Sequence, residues 1–209
     1  NGDPVCVPIH YVSKLAKENG VVVCQVGEGS DELFHGYDSW AKYRRYQSLA
    51  DSVPRFILRA TSALSALPGL DSTQKDMIKR STLGQPLFMG GALGLSDSQI
   101  DGLLSPVIRR ELGETTSYDA VAPYRAHFES TSHDQSNFAW MTYLDLVFRL
   151  PELLLMRVDK MSMAASVEAR VPFLDHEFVT LAMSLPESIR LLNGSPKGIL
   201  KHSAKELVP

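Results

Sequence analysis

One stretch constrains the fold of this chain more than any other: Val21-Val22-Val23-Cys24-Gln25-Val26, followed at once by Gly27-Glu28-Gly29-Ser30. The run is rich in β-branched residues and apolar on both faces, which is the pattern of a buried parallel strand. Before it, Ile9, Val12, Leu15 and Ala16 recur at helical spacing, and Asn19-Gly20 supplies a stop. After it, a helix is expected from Ser30 or Asp31, with Glu32 in the first turn and Leu33, Phe34, Tyr37 and Trp40 following. Helix, strand, glycine turn, helix is the order by which doubly wound α/β folds place ligands, at the carboxyl end of a strand and the amino end of the next helix. A buried strand needs partners for its backbone. Those of Val21–Val26 are expected from residues before Asn1, and the chain is expected to be a fragment.

From Ala41 onward only helical periodicities remain, separated by Pro, Gly and Ser. Helices are expected over 54–66, 72–83, 96–104, 118–130, 135–149, 152–165, 175–184 and 197–207. The expected fold class is therefore mainly α, the helical part of an α/β domain with one remnant parallel strand near 21–26. Residues 1–209 form one partial domain, with a strand–turn–helix portion over 1–49 and a helical bundle over 50–209.

Charge and composition narrow the function classes. A net charge of −3 gives no reason to expect nucleic acid or an anionic membrane as partner. No apolar stretch has the length of a membrane span, and the start lacks a basic-then-apolar targeting pattern. Two cysteines, Cys6 and Cys24, make no disulfide framework, so a reducing cytoplasm is the expected setting. The six histidines show no metal-type spacing. The basic cluster Lys42, Arg44 and Arg45 reads as a solvated helix face.

Two segments concentrate chemistry. In Gly27-Glu28-Gly29-Ser30-Asp31-Glu32-Leu33-Phe34, with Gly36-Tyr37 behind it, glycines let backbone amides approach an anionic ligand and three carboxylates gather at one turn. Acids beside a phosphate site suggest Mg2+, which takes one or two protein carboxylates and completes its shell with water and phosphate oxygens; Asp31 is the best candidate. The plain alternative makes Ser30 or Asp31 a helix cap and Glu32 a partner of the helix dipole. A serine-hydrolase elbow at Ser30 fails, because Glu28 and Glu32 stand where glycines are required. The second segment runs from Leu150-Pro151-Glu152 through Arg157-Val158-Asp159-Lys160 to Glu168-Ala169-Arg170-Val171-Pro172-Phe173-Leu174-Asp175. Charges this close to Leu, Met, Val and Phe must pair if buried, and Arg157, Asp159, Glu168, Arg170 and Asp175 read as structural ion pairs.

Together and in this order, the two segments resemble the late signatures of the asparagine synthetase family. Asp3-Pro4, the helix before the strand and Lys197-Gly198-Ile199-Leu200-Lys201 extend the likeness over the chain. The resemblance implies a pyrophosphatase-type ATP fold. In it a small-molecule carboxylate, aspartate in the namesake, is adenylated by ATP with Mg2+, and ammonia from an amino-terminal glutaminase domain displaces AMP. Carried over by position, Asp31 holds Mg2+, Glu28 positions or deprotonates ammonia, and Lys197 stabilises the adenylation transition state. Val26, Gly27, Gly29 and Ser30 meet the nucleotide, and Glu152 matches an acid near the site in some relatives. A homodimer is also possible.

Two departures stand out. Val26 occupies a place usually held by serine, and the Ser-Gly-Gly-X-Asp-Ser loop that binds pyrophosphate is absent from these residues. Gly90 to Ser98 imitates that loop superficially, but no β-type run precedes it and Ser96 fits a helix cap. The isolated chain is therefore expected to be inactive. An amide-forming relative with a specialised substrate and a non-catalytic helical interaction module are the alternatives.

Overall fold

The computed structural model describes residues 3–60, 69–91 and 94–207. Helices dominate, joined by one two-stranded parallel sheet, and the chain divides into two compact units, Asn1–Asp38 with Asp145–Pro209, and Ser39–Leu144.

In the first unit, α1 (Cys6–Glu18) leads into β1 (Val23–Gln25) and then α2 (Ser30–Phe34). The helix expected to run from Ser30 past Trp40 is interrupted. His35 adopts φ 52 and ψ 52, a left-handed conformation that ends α2, and α3 (Asp38–Ser52) begins separately. The expectation that all strand partners lie upstream is also corrected. β2 (Glu168–Arg170) pairs in parallel with β1 in the register Val23↔Glu168, Cys24↔Ala169 and Gln25↔Arg170. Nor is β1 buried, for Val22 and Val23 are exposed. With β2 as its one neighbour among the described residues, the run keeps an open edge.

Pro151 was expected to separate two helices. Instead Asp145–Leu155 is a π-helical segment that runs directly into α10 (Met156–Met163). A widened helix tolerates the missing proline N–H by shifting the hydrogen-bond ladder, and such segments recur at functional sites. α1 packs along α10, and Lys17 Nζ donates to the Ser166 carbonyl at 3.2 Å. Beyond β2, a 3-10 turn (Pro172–Leu174) leads to α11 (His176–Ser184), whose N-cap Asp175 accepts from the Glu177 and Phe178 amides. Then come α12 (Glu187–Arg190), the turn Leu192–Gly194 and α13 (Gly198–Ala204). Leu33, Phe34 and Ala182 centre the core here, packed against Phe178, Met183, Ile199 and Leu200. The buried Arg190 guanidinium donates to the Leu33 and Leu185 carbonyls, so α12 holds the end of α2.

The second unit is helical. It comprises α3 from Ser39, α4 (Arg55–Ala60), α5 (Ser72–Leu83), α6 (Asp97–Leu103), α7 (Pro106–Leu112), α8 (Tyr118–Thr131) and α9 (Asn137–Leu144). The helix expected over 54–66 is seen only as α4, and residues 61–66 lie outside the described residues. Ser96 caps α6 in a capping box with Gln99, the helix-cap role expected of it. Trp40, Phe88, Phe128, Phe138 and Trp140 form an aromatic core, with Trp140 Nε1 donating to the Phe88 carbonyl at 3.1 Å. Among the described residues no helix is long and apolar enough to cross a membrane.

Candidate functional site

The glycine turn leaves β1 with its first amide already engaged. Val26 N donates to the Arg170 carbonyl at 2.8 Å and extends the parallel ladder, so of its backbone groups only the carbonyl remains for a ligand. Gly29 then takes φ 92, the left-handed region that favours glycine, and a Cβ there would run into Leu174. Gly29 is the N-cap of α2, but no side chain caps the helix. The plain reading of Ser30 as a cap therefore fails. Its hydroxyl donates to the Gly27 carbonyl at 2.9 Å and closes the turn on itself.

Lys197 comes to this turn from the far end of the chain. Its ammonium lies 2.8 Å from Asp31 Oδ1 and 3.3 Å from Ser30 Oγ. Two features of the backbone hold it there. Lys197 N donates to the Phe34 carbonyl at 2.9 Å, and the residue sits at φ 55, ψ 29, left-handed for a non-glycine. Such a conformation costs on the order of 1 kcal/mol or more. Both partners of the Lys197–Asp31 pair keep about a third of their side chains exposed, so the pair contributes at most about 1 kcal/mol to folding. The ion pair alone does not account for this placement. Gly36 is the residue that sequence reasoning passed over here: a Cβ on it would overlap the Asp31 carboxylate and the Lys197 stem. The Gly-Tyr pair after the turn was visible, but its spatial role needed the left-handed His35 that swings the chain back.

Glu28 stands in the same turn, three-quarters buried, with Arg157 Nη2 3.8 Å from its Oε1. Arg157 also binds Asp3 at 2.9 Å. Arg157 is thus ion-paired as expected, and its two pairs link the start of the chain to the candidate site. Of the other four charges grouped with it, Glu168 and Arg170 do pair at 2.8 Å, but on the exposed surface of β2 rather than in the core. Asp175 caps α11. Burial pushes the Glu28 carboxyl above the ordinary glutamate value, the Arg157 charge pulls it back, and Glu32 and Asp31 raise it further.

Arg157→Gln removes a cation that favours the carboxylate, so the Glu28 titration midpoint, followed by carbon NMR of its carboxyl, is expected to move to higher pH. An unchanged or lower midpoint would show that Arg157 does not govern this group.

Behind Glu28, Glu32 and Asp145 are both fully buried beside Arg149. The distances are 3.9 Å from Arg149 Nη1 to Glu32 Oε1 and 3.1 Å to Asp145 Oδ2. Tyr37 donates its hydroxyl to Glu32 Oε1 at 2.6 Å, and the Arg149 guanidinium lies 4.4 Å from the centre of the Tyr37 ring. Burial and the Glu32 hydrogen bond push the Tyr37 phenol far above its usual range. Glu32 is thus neither a helix-dipole partner alone nor a surface acid. It anchors α2 onto the π-helical segment.

The structure brings Glu28, Ser30, Asp31 and Lys197 to one turn with Gly27 and Gly29. Glu152 is not brought with them. It is exposed on the π-helical segment and shares no hydrogen bond or ion pair with these residues among those described. No group of three or more potential ligands could hold a metal ion among the described residues, so a cage made by protein alone is absent. A Mg2+ shell with one carboxylate still fits, because Asp31 is partly exposed and has its Oδ2 to offer while Oδ1 meets Lys197.

The family model described as asparagine synthase matches residues 1–209. Asparagine synthetase [glutamine-hydrolyzing] 1 of Bacillus subtilis is 32% identical over 211 residues, which is 99% of this chain and 31% of that protein. Asparagine synthetase [glutamine-hydrolyzing] 3 of the same organism is 37% identical over 67 residues, 32% of this chain and 11% of that protein. The chain therefore spans about a third of the length of the first of these relatives. No solved structure matches it significantly.

Proposed function

The chain belongs to the asparagine synthase family, and from that membership we propose that it carries the acidic turn and the lysine of an ATP-dependent, glutamine-dependent amidotransferase that converts a small carboxylate, aspartate foremost, into its amide. One observation carries this reading: Lys197 is held in an unfavourable backbone conformation so that its ammonium meets Asp31 and Ser30 at the glycine turn. The cation suits the phosphates of ATP and the carboxylate suits the Mg2+ that accompanies them, and both groups are partly open to solvent.

In the first step a carboxylate oxygen of the substrate attacks the α-phosphorus of ATP. A new P–O bond forms, the bond to the β-phosphate bridging oxygen breaks, and an acyl-adenylate and pyrophosphate result. Negative charge grows on the phosphate oxygens as this happens, and a fixed ammonium at Lys197 lowers that barrier. Asp31 is the residue to hold Mg2+, which when bound neutralises phosphate charge. In the second step ammonia attacks the acyl carbon, AMP leaves, and the proton lost by nitrogen passes to Glu28. A carboxyl whose proton affinity is raised by burial suits that task better than an exposed glutamate. Ammonia comes from glutamine through an amino-terminal glutaminase domain on this reading. Glu152 has no part in it.

The test is ATP–pyrophosphate exchange by the full-length protein across a panel of small carboxylates. Aspartate-stimulated exchange is expected; another acid as best substrate would mark a specialised amide-forming relative, and no exchange with any acid would overturn the enzymatic reading. In the same assay Gly36→Ala is expected to lower exchange by about 10- to 100-fold with the helical content unchanged. Misplacing the Asp31–Lys197 pair by about 1 Å is enough for such a loss. Wild-type rates in that variant would show that the clearance around the pair is irrelevant.

A further inference from the structure

A cavity of about 650 Å3 lies within the Ser39–Leu144 unit, and none of its lining residues has a role in the reading above. Its size falls in the range of small-molecule sites, which is roughly 300–1,000 Å3. The chemistry of its wall is polar and carries both signs of charge, with Arg125, Asp51 and Glu129 among the lining residues beside Gln85, Asn137 and Tyr118.

These groups are fixed in place. The Arg125 guanidinium lies over the Trp140 and Phe128 rings at 5.0 and 5.5 Å, and its Nε donates to Glu129 Oε1 at 2.7 Å. That leaves the two terminal nitrogens, the face of the fork that matches a carboxylate, without a partner among the described residues. Asp51 is oriented as firmly. Gln47 Nε2 donates to its Oδ1 at 2.9 Å and Asn137 Nδ2 to its Oδ2 at 3.1 Å, while Gln47 is itself held by the Leu87 amide at 2.7 Å. The carboxylate retains lone pairs for an ammonium, and the Asn137 Oδ1 and the Gln85 amide add neutral donors and acceptors.

Two acids against one arginine make the lining unfavourable for a polyanion such as a nucleotide or free phosphate. The scarcity of apolar side chains argues against a lipid or an aromatic ligand. One carboxylate and one ammonium are the chemical complements of the two fixed charges, Arg125 and Asp51, that line this one cavity. We propose that this cavity binds a zwitterionic α-amino acid, up to a dipeptide in size, through Arg125 and Asp51, as a site separate from the Asp31–Lys197 turn.

The full chain is titrated with glycine, asparagine and the dipeptide Gly-Asn, followed by tryptophan fluorescence, because Trp140 lies under Arg125. A saturable change in the millimolar range or tighter is expected for at least one zwitterion. Arg125→Lys and Asp51→Asn are each expected to weaken it about tenfold, the scale of one charge-assisted hydrogen bond. Lys197→Met should leave it intact, which separates this site from the proposed amide-forming one. Should Arg125→Lys fail to fold, the exposed Asp51 carries the test alone. Absence of saturable binding, binding indifferent to Asp51→Asn, or displacement of the zwitterion by inorganic phosphate or AMP would each overturn the proposal.

Discussion

Lys197→Met is expected to reduce ATP–pyrophosphate exchange by roughly 10²- to 10³-fold, the usual loss when one preorganised charge is removed from a developing anion. Methionine preserves the length and much of the packing of the lysine stem while deleting the ammonium. The fold should tolerate it, since the Lys197–Asp31 pair is partly solvated and worth at most about 1 kcal/mol. The backbone bond from Lys197 N to the Phe34 carbonyl is untouched by the change. Activity and stability are therefore expected to separate: exchange collapses while the melting temperature moves little. A parallel fall in both would mean that Lys197 is a structural lysine and that its left-handed backbone serves packing.

Arg80→Met is expected to have the opposite signature, a large loss of stability in the Ser39–Leu144 unit. Arg80 is buried between two acids, with Nη2 3.9 Å from Asp76 and 3.7 Å from Asp97, and 3.4 Å from the Ser117 hydroxyl. Asp76 in turn accepts the Asp97 and Ser98 amides at the start of α6. Removing the guanidinium leaves Asp76 buried and Asp97 nearly so without their cation, which costs about 3–5 kcal/mol. For a protein of this size that is a fall of roughly 6–20 °C in melting temperature, read by calorimetry. Burial acts to raise the Asp97 carboxyl, but the Ser117 hydroxyl and amide and the Arg80 charge outweigh it and hold the group below the ordinary aspartate value. A depressed carboxyl contributes stability above its unfolded value of 3.8 and loses it as pH falls through the folded value. The wild-type unit should thus lose part of its stability below about pH 4. A variant as stable as the wild type would contradict this assignment.

The sequence made the acidic turn visible because its chemistry is local: β-branched residues, then glycines, then acids within a dozen positions. It pointed to Lys197 only through a family pattern, since nothing near that lysine reveals that α13 returns to α2. β2 escaped notice because Glu168-Ala169-Arg170 is too short to show a period of two and is charged at both ends. It pairs with β1 after α10, which packs along α1. The π-helical segment was hidden by Pro151, which reads as a helix break unless the neighbouring turns widen. Arg157 was assigned to structure because its charge sits among apolar neighbours, and only the fold shows that the same guanidinium reaches Glu28. The exposure of Val22 and Val23 marks the limit of pattern reading, because an apolar strand registers what it can pair with and not what covers it here.

On the proposed function Asp31 and Lys197 act on one nucleotide, and a double-mutant cycle of ATP–pyrophosphate exchange with Asp31→Asn and Lys197→Met asks this directly. The predicted result is strong non-additivity, with the double variant no slower than the slower single variant, as for residues that work as a unit. Losses that simply multiply, or exchange that survives both substitutions, would contradict it.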